Sequence, residues 1–103
     1  MINKIIYPEE LLEWIDNQKD FQLIDLTDEN LLEKLKILST WIPVHHLFDR
    51  ISEIEKEKPV VLSCRVGADS FFCMNILAKE YNMENVFSLK SGAIGLEELL
   101  KTQ

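Results

Sequence analysis

Cys64, followed by Arg65-Val66-Gly67-Ala68-Asp69-Ser70, is where residue types and spacing in this sequence fit chemistry. The apolar run Val60-Val61-Leu62 leads into it from Pro59, and a helix-forming stretch follows. A cysteine at a strand exit, with a helix starting just beyond, stands where backbone N–H groups converge. Those amides, the adjacent Arg65 and the helix N-terminus all favour a thiolate, the reactive form of cysteine. Gly67 permits a positive φ and close backbone approach, as an anion-cradling turn requires. Ser70 can cap the helix or donate a hydrogen bond to the sulfur. The chemistry is nucleophilic, on a cysteine held in an anion nest. The bland alternative is a cysteine that serves as a small buried hydrophobe.

Other reactive side chains carry weaker patterns. Cys73 falls inside the apolar helical run Phe71-Phe72-Cys73-Met74, where a core cysteine is favoured over a resolving thiol. His45 and His46 are adjacent, and neighbours in a strand point to opposite faces, so they are not expected to share a metal ion. No third ligand pattern accompanies them, and no metal or cofactor is expected. Asp25, at a strand end, is either a base or a turn-capping residue. Trp14 and Trp41 read as packing residues. The run Glu53 to Lys58 reads as a solvated helix face.

Elements must position the cysteine. Pro8 opens a short helix to about Asn17, with Glu9 and Glu10 near its positive end. Ile2 and Ile5-Ile6 before it suit a short strand. Phe21 to Leu26 is the next strand, and Thr27 or Asp28 caps a helix bearing Leu31, Leu32, Leu35 and Leu38. Ser39 to Pro43 breaks that helix. Val44 to Leu47 is expected as a short strand, and Asp49 to about Lys58 as a polar helix that buries Phe48, Ile51 and Ile54. The unbroken Val60-Val61-Leu62 suits a strand buried on both faces. The helix from about Ala68 to Tyr81 is apolar on nearly all sides, hence buried, and Asn82 suits the left-handed residue ending it. Val86 to Leu89 is a last strand, and Ser91-Gly92 turns into a short helix over Ile94 to Leu100. This alternation predicts an α/β fold: a mostly parallel central sheet of about five strands with helices on both faces. Ligands in such sheets bind beyond the carboxyl ends of the strands, where Cys64 lies.

Bulk properties narrow the classes. At 103 residues the chain is expected to be a single domain, 1–103. No run approaches the roughly 18 apolar residues of a membrane span, and Glu9 and Glu10 interrupt any secretory signal. Two cysteines without such a signal favour free thiols in the cytoplasm. The net charge is -7, and only Arg50 and Arg65 are arginines. With no basic cluster to neutralise a phosphate backbone, nucleic acid is not expected as a partner, and neither is a membrane.

The segment Cys64 to Ser70 resembles the C-R-x-G-x-x-S active-site loop of the rhodanese (sulfurtransferase) domains. Leu23-Ile24-Asp25-Leu26 falls where that family carries its "liDvR" strand, and Ile42-Pro43 matches its "hIPgA" element. Asn82 to Leu89 with Ser91-Gly92 is similar to its "G-x-x-x-V-x-x-L-x-G-G" ending. The similarity runs from about Tyr7 to Leu100.

The resemblance implies that Cys64 takes a sulfane sulfur from a donor as a persulfide and passes it to cyanide or a thiol. It implies that residues 65 to 70, namely Arg65, Val66, Gly67, Ala68, Asp69 and Ser70, bind the substrate, with their amides cradling the persulfide. Arg65 would attract an anionic donor. The implied partners are a small sulfur donor or persulfide and a thiol-bearing acceptor protein. Five positions depart from the family pattern. Thr27 replaces the arginine after the "DV" pair, Thr40-Trp41 replaces "GH", Val44 replaces the glycine after "IP", and Asp69 brings a carboxylate into the loop. That carboxylate opposes an anionic donor, so thiosulfate is expected to be poor and a persulfide better, unless Asp69 points outward to pair elsewhere. The competing expectation is a weakly active or non-catalytic binding and sulfur-relay module. Phosphatases with a related loop need an arginine at the sixth position after the cysteine. Ser70 stands there, which argues against a phosphatase or arsenate reductase.

Overall fold

A five-stranded, all-parallel sheet runs through the computed structural model, which describes residues 4–103. The strands are β1 (Ile5–Ile6), β2 (Gln22–Asp25), β3 (Thr40–Trp41), β4 (Val60–Ser63) and β5 (Val86–Leu89). Their order across the sheet is β1-β5-β4-β2-β3, which puts β4 in the middle. Four α-helices connect or follow them: α1 (Pro8–Asp16), α2 (Leu31–Lys34), α3 (Ala68–Tyr81) and α4 (Gly92–Lys101). Ile2, expected near the first strand, lies outside the described residues.

Side-chain alternation along β4 divides the core in two. Val60, Leu62 and Cys64 pack with Cys73, Met74 and Leu77 of α3 and with Leu47 and Ile54. Val61 packs on the other face with Leu11 of α1, Leu32 of α2 and Ala93 and Leu96 of α4. Both faces of the strand are therefore covered, which is why its sequence shows no polar alternation. Among the described residues no helix is long and apolar enough to cross a membrane.

Four local expectations need correction. The helix carrying Leu31, Leu32 and Leu35 stops early, and Leu38 is 95% exposed. Lys36 adopts a left-handed φ of 62°, with Lys36 N–H donating to Glu33 O and Ile37 N–H to Leu32 O at 2.9 Å each. That pair of bonds is a Schellman stop. The following Thr40–Trp41, read as part of a helix breaker, forms the edge strand paired with Ile24 and Asp25.

Val44 to Leu47 is not a strand. Val44–Asp49 forms a 3₁₀ helix, followed by a second over Ile51–Glu53. The polar helix expected to continue to Lys58 is absent because side-chain amides of the neighbouring strand regions take its backbone groups. Gln22 bonds both Glu53 O (2.9 Å) and Glu55 N–H (2.8 Å), and Asn85 donates to Glu55 O and Lys58 O. Phe48, Ile51 and Ile54 still reach the core as expected.

Candidate functional site: a sulfur seat at the end of the central strand

Cys64 follows directly on β4 and is only 4% exposed. Its Sγ accepts hydrogen bonds from Gly67 N–H at 3.0 Å and Ser70 N–H at 3.3 Å. The turn that aims these amides needs Gly67, whose φ is +104° and whose absent Cβ would stand 3.1 Å from Ser91 N. Backbone donors converging on one atom in this way form the arrangement of an anion nest.

A pair of buried hydroxyls backs the sulfur. Ser70 Oγ lies 3.4 Å from Sγ and 2.7 Å from Ser88 Oγ of β5, and it can also donate to Gly67 O at 3.2 Å. A hydroxyl has one hydrogen and two acceptor lone pairs. With a thiol, Cys64 can donate to Ser70. With a thiolate, Ser70 can turn its hydrogen to sulfur while accepting from Ser88. Ser88 was not anticipated; its one signal is a polar side chain in the apolar run Val86-Phe87-Ser88-Leu89.

The loop is also held from its carbonyl side. Ala93 N–H donates to Cys64 O at 2.8 Å and Ile94 N–H to Arg65 O at 3.0 Å, both from the first turn of α4. Gly92 makes this approach possible, since a Cβ there would meet Cys64 O at 2.4 Å and Arg65 O at 2.7 Å. Helix α4 therefore begins at Gly92, two residues before the expected start, because its first amides are already used by the loop.

The charged loop residues face solvent. Arg65 is half-exposed and ion-paired with Glu29, a contact between residues distant in sequence that no local pattern signals. Asp69 is exposed on the first turn of α3 and forms no salt bridge among the described residues. Val66 and Ala68 are exposed as well.

The remaining candidates separate from the site. Asp25 is buried and acts as a cap: Oδ1 accepts from Thr27 N–H (2.9 Å) and Thr27 Oγ1–H (2.7 Å), and Oδ2 accepts from Leu32 N–H (2.9 Å). Thr27, at the arginine position of the family pattern, also accepts from Trp41 Nε1–H through its carbonyl at 2.7 Å. The Cys73 thiol is pushed up to about 11 by burial, with the charges of Asp69 and Cys64 adding to the effect. His45 and His46 do not splay to opposite faces, because they sit on a 3₁₀ turn; their rings are 4.3 Å apart and exposed. Among the described residues no cluster of three metal-ligating side chains forms.

No protein-family model and no curated protein sequence matches the chain. Solved structures do. A rhodanese-related protein from Thermoplasma volcanium aligns at 20% identity over 93% of this chain and 92% of its own, with a TM-score of 0.75. A rhodanese-like domain protein from Staphylococcus aureus aligns at 23% identity over 90% of each chain, with a TM-score of 0.73. A NAD-dependent persulfide reductase from A. fulgidus is 28% identical over 87% of this chain but only 15% of its own, with a TM-score of 0.65. The chain thus has the rhodanese-like fold, the architecture implied by its loop motif.

Proposed function

We propose that this chain is a rhodanese-like sulfurtransferase, working as one unit over residues 1–103, that carries a sulfane sulfur on Cys64. The observation that supports it most is the seat of Sγ between the Gly67 and Ser70 amides, backed by Ser70 and Ser88. In the first step the Cys64 thiolate attacks the terminal sulfur of a donor R–S–SH. The donor S–S bond breaks, its electron pair leaves with RS⁻, and Cys64 becomes Cys–S–SH. In the second step an acceptor thiolate, or cyanide, attacks that outer sulfur and the Cys64 thiolate departs. The sulfur atom is transferred as a unit and no external oxidant or reductant is consumed. Preorganised amides lower the cost of charge on each sulfur that develops it. The partners are a small persulfide donor and a thiol-bearing acceptor, in a reducing cytoplasm that suits two free cysteines.

A persulfide is a better donor than thiosulfate because the loop's own residues next to the sulfur offer little free positive charge: Arg65 is paired with Glu29, and Asp69 adds a carboxylate. The same pairing favours, as a second reading, a sulfur-relay or binding module with weak turnover. Incubation with a persulfide donor followed by intact-mass measurement tests the proposal. One added sulfur atom, lost in Cys64→Ser, is the expected result. A Cys64→Ser protein that gains the sulfur equally well overturns it.

A further inference from the structure

Beside the loop, on its β5 side, lies a depression of about 460 Å³ lined by Ile5, loop residues 66–68, Phe71, Ser88, Lys90 and Ser91. Its size is within the range of small-molecule sites. The walls are apolar at Ile5, Val66 and Phe71, and Val66 is 59% exposed. Ile5 and Ser88 are register partners in the parallel β1–β5 pair, so their side chains project to the same face of the sheet. Ser88 is the buried polar point of the depression, and its hydroxyl leads through Ser70 to the Cys64 sulfur. Lys90 contributes a cation that is exposed and makes no ion pair among the described residues, whereas Arg65 is paired.

We infer that this depression is the binding site for the body of the sulfur donor or acceptor. The ligand class is a small thiol or persulfide with a short apolar chain and an anionic terminus, sulfonate or carboxylate, and Lys90 rather than Arg65 receives the anion. The inference rests on the sulfur-transfer reading for its meaning, but the site can be tested apart from the reaction. An apolar chain against Ile5, Val66 and Phe71 removes hydrocarbon from water, and the ammonium of Lys90 fixes which end of the ligand points away from the sulfur.

The probe is 1-butanesulfonate, which has the chain and the anion and no sulfur to transfer, titrated into the reduced chain and followed by backbone amide NMR. Shifts should concentrate at residues 66–68, Lys90 and Ser91. Lys90→Glu should weaken binding about fivefold or more, and Lys90→Gln by somewhat less, as loss of one partly exposed ionic contact dictates. Arg65→Ala should stay within about twofold on the same scale. Shifts centred on Arg65 and Glu29, or a Lys90→Glu affinity equal to that of the parent chain, overturn the inference. Sulfur uptake on Cys64, read by intact mass, separates the two ideas. Uptake without Lys90-dependent binding rejects this site and keeps the transfer chemistry; Lys90-dependent binding without uptake keeps the site and rejects the chemistry.

Discussion

The Ser70 and Ser88 hydroxyl oxygens stand 2.7 Å apart in the interior, joining α3 to β5 directly behind the Cys64 sulfur. Removing either one has different consequences. Ser70→Ala deletes the group adjacent to Sγ and should slow sulfur uptake by about tenfold, the scale of a hydrogen bond to a charged atom. Ser88→Ala acts one bond farther away and should slow it by less. Time courses of sulfur incorporation compare them; equal rates in both variants and the parent would show that the hydroxyls do not assist the sulfur.

Gly92 should tolerate no side chain. A Cβ would lie 2.4 Å from Cys64 O, and the backbone there has φ +56°. Gly92→Ala is expected to cost roughly 2–4 kcal/mol of stability through overpacking and left-handed strain, read as a lower urea midpoint. Sulfur uptake should fall with it, since the clash is against the carbonyls of Cys64 and Arg65. An alanine variant as stable as the parent chain contradicts the close packing of α4 on the loop.

The buried Cys73 gives a pH dependence on the alkaline side. Its thiol is raised to about 11 by burial, and then by the Asp69 and Cys64 charges. Because the folded chain holds the proton more tightly, this contribution to stability is complete below the pKa of an unfolded cysteine. It is lost as pH rises through about 11, since the unfolded chain ionises first. The full effect is roughly 2–3 kcal/mol. Unfolding midpoints measured between pH 8 and pH 11 should decline, and Cys73→Ala should flatten that decline while lowering stability at neutral pH; an unchanged slope would assign the decline to other groups.

Freeing positive charge at the loop should admit thiosulfate. Glu29→Gln releases Arg65, and Asp69→Arg reverses an exposed charge on the first turn of α3. Each should raise thiosulfate:cyanide activity by about two- to fivefold at low ionic strength and by less at high salt. If both variants remain inert while acceptor proteins are still captured, the relay-module reading gains the weight.

Where physical signals are local, the sequence was readable. Three consecutive apolar residues entering Cys64 mark a strand covered on both faces, and Gly67 and Asn82 mark the left-handed turns at either end of α3. The parallel α/β fold was legible from those units in order, and its rhodanese-like form from the resemblance of the Cys64 loop and its flanking elements. One misreading is local, a non-glycine left-handed stop, and the others occur where distant residues decide. Leu38 fits the helical spacing, yet two bonds at Lys36 and Ile37 end the helix before it. The Asp49 to Lys58 run has helical character, but Gln22 and Asn85 bond its backbone instead. Glu29 pairs with Arg65, and Ser88 reaches Ser70, through contacts that only the folded sheet creates.

Helix α4 follows every other element in chain order, yet its first amides hold the carbonyls of Cys64 and Arg65. During synthesis, a nascent chain can complete β4 and α3 while those carbonyls still face water. The loop then has its glycine and its cysteine but no anchor beneath it. The carbonyl side of the loop is thus fastened by the last helix of the chain, so a truncation that removes α4 would leave the amides of Gly67 and Ser70 in the sequence but take away the support behind them.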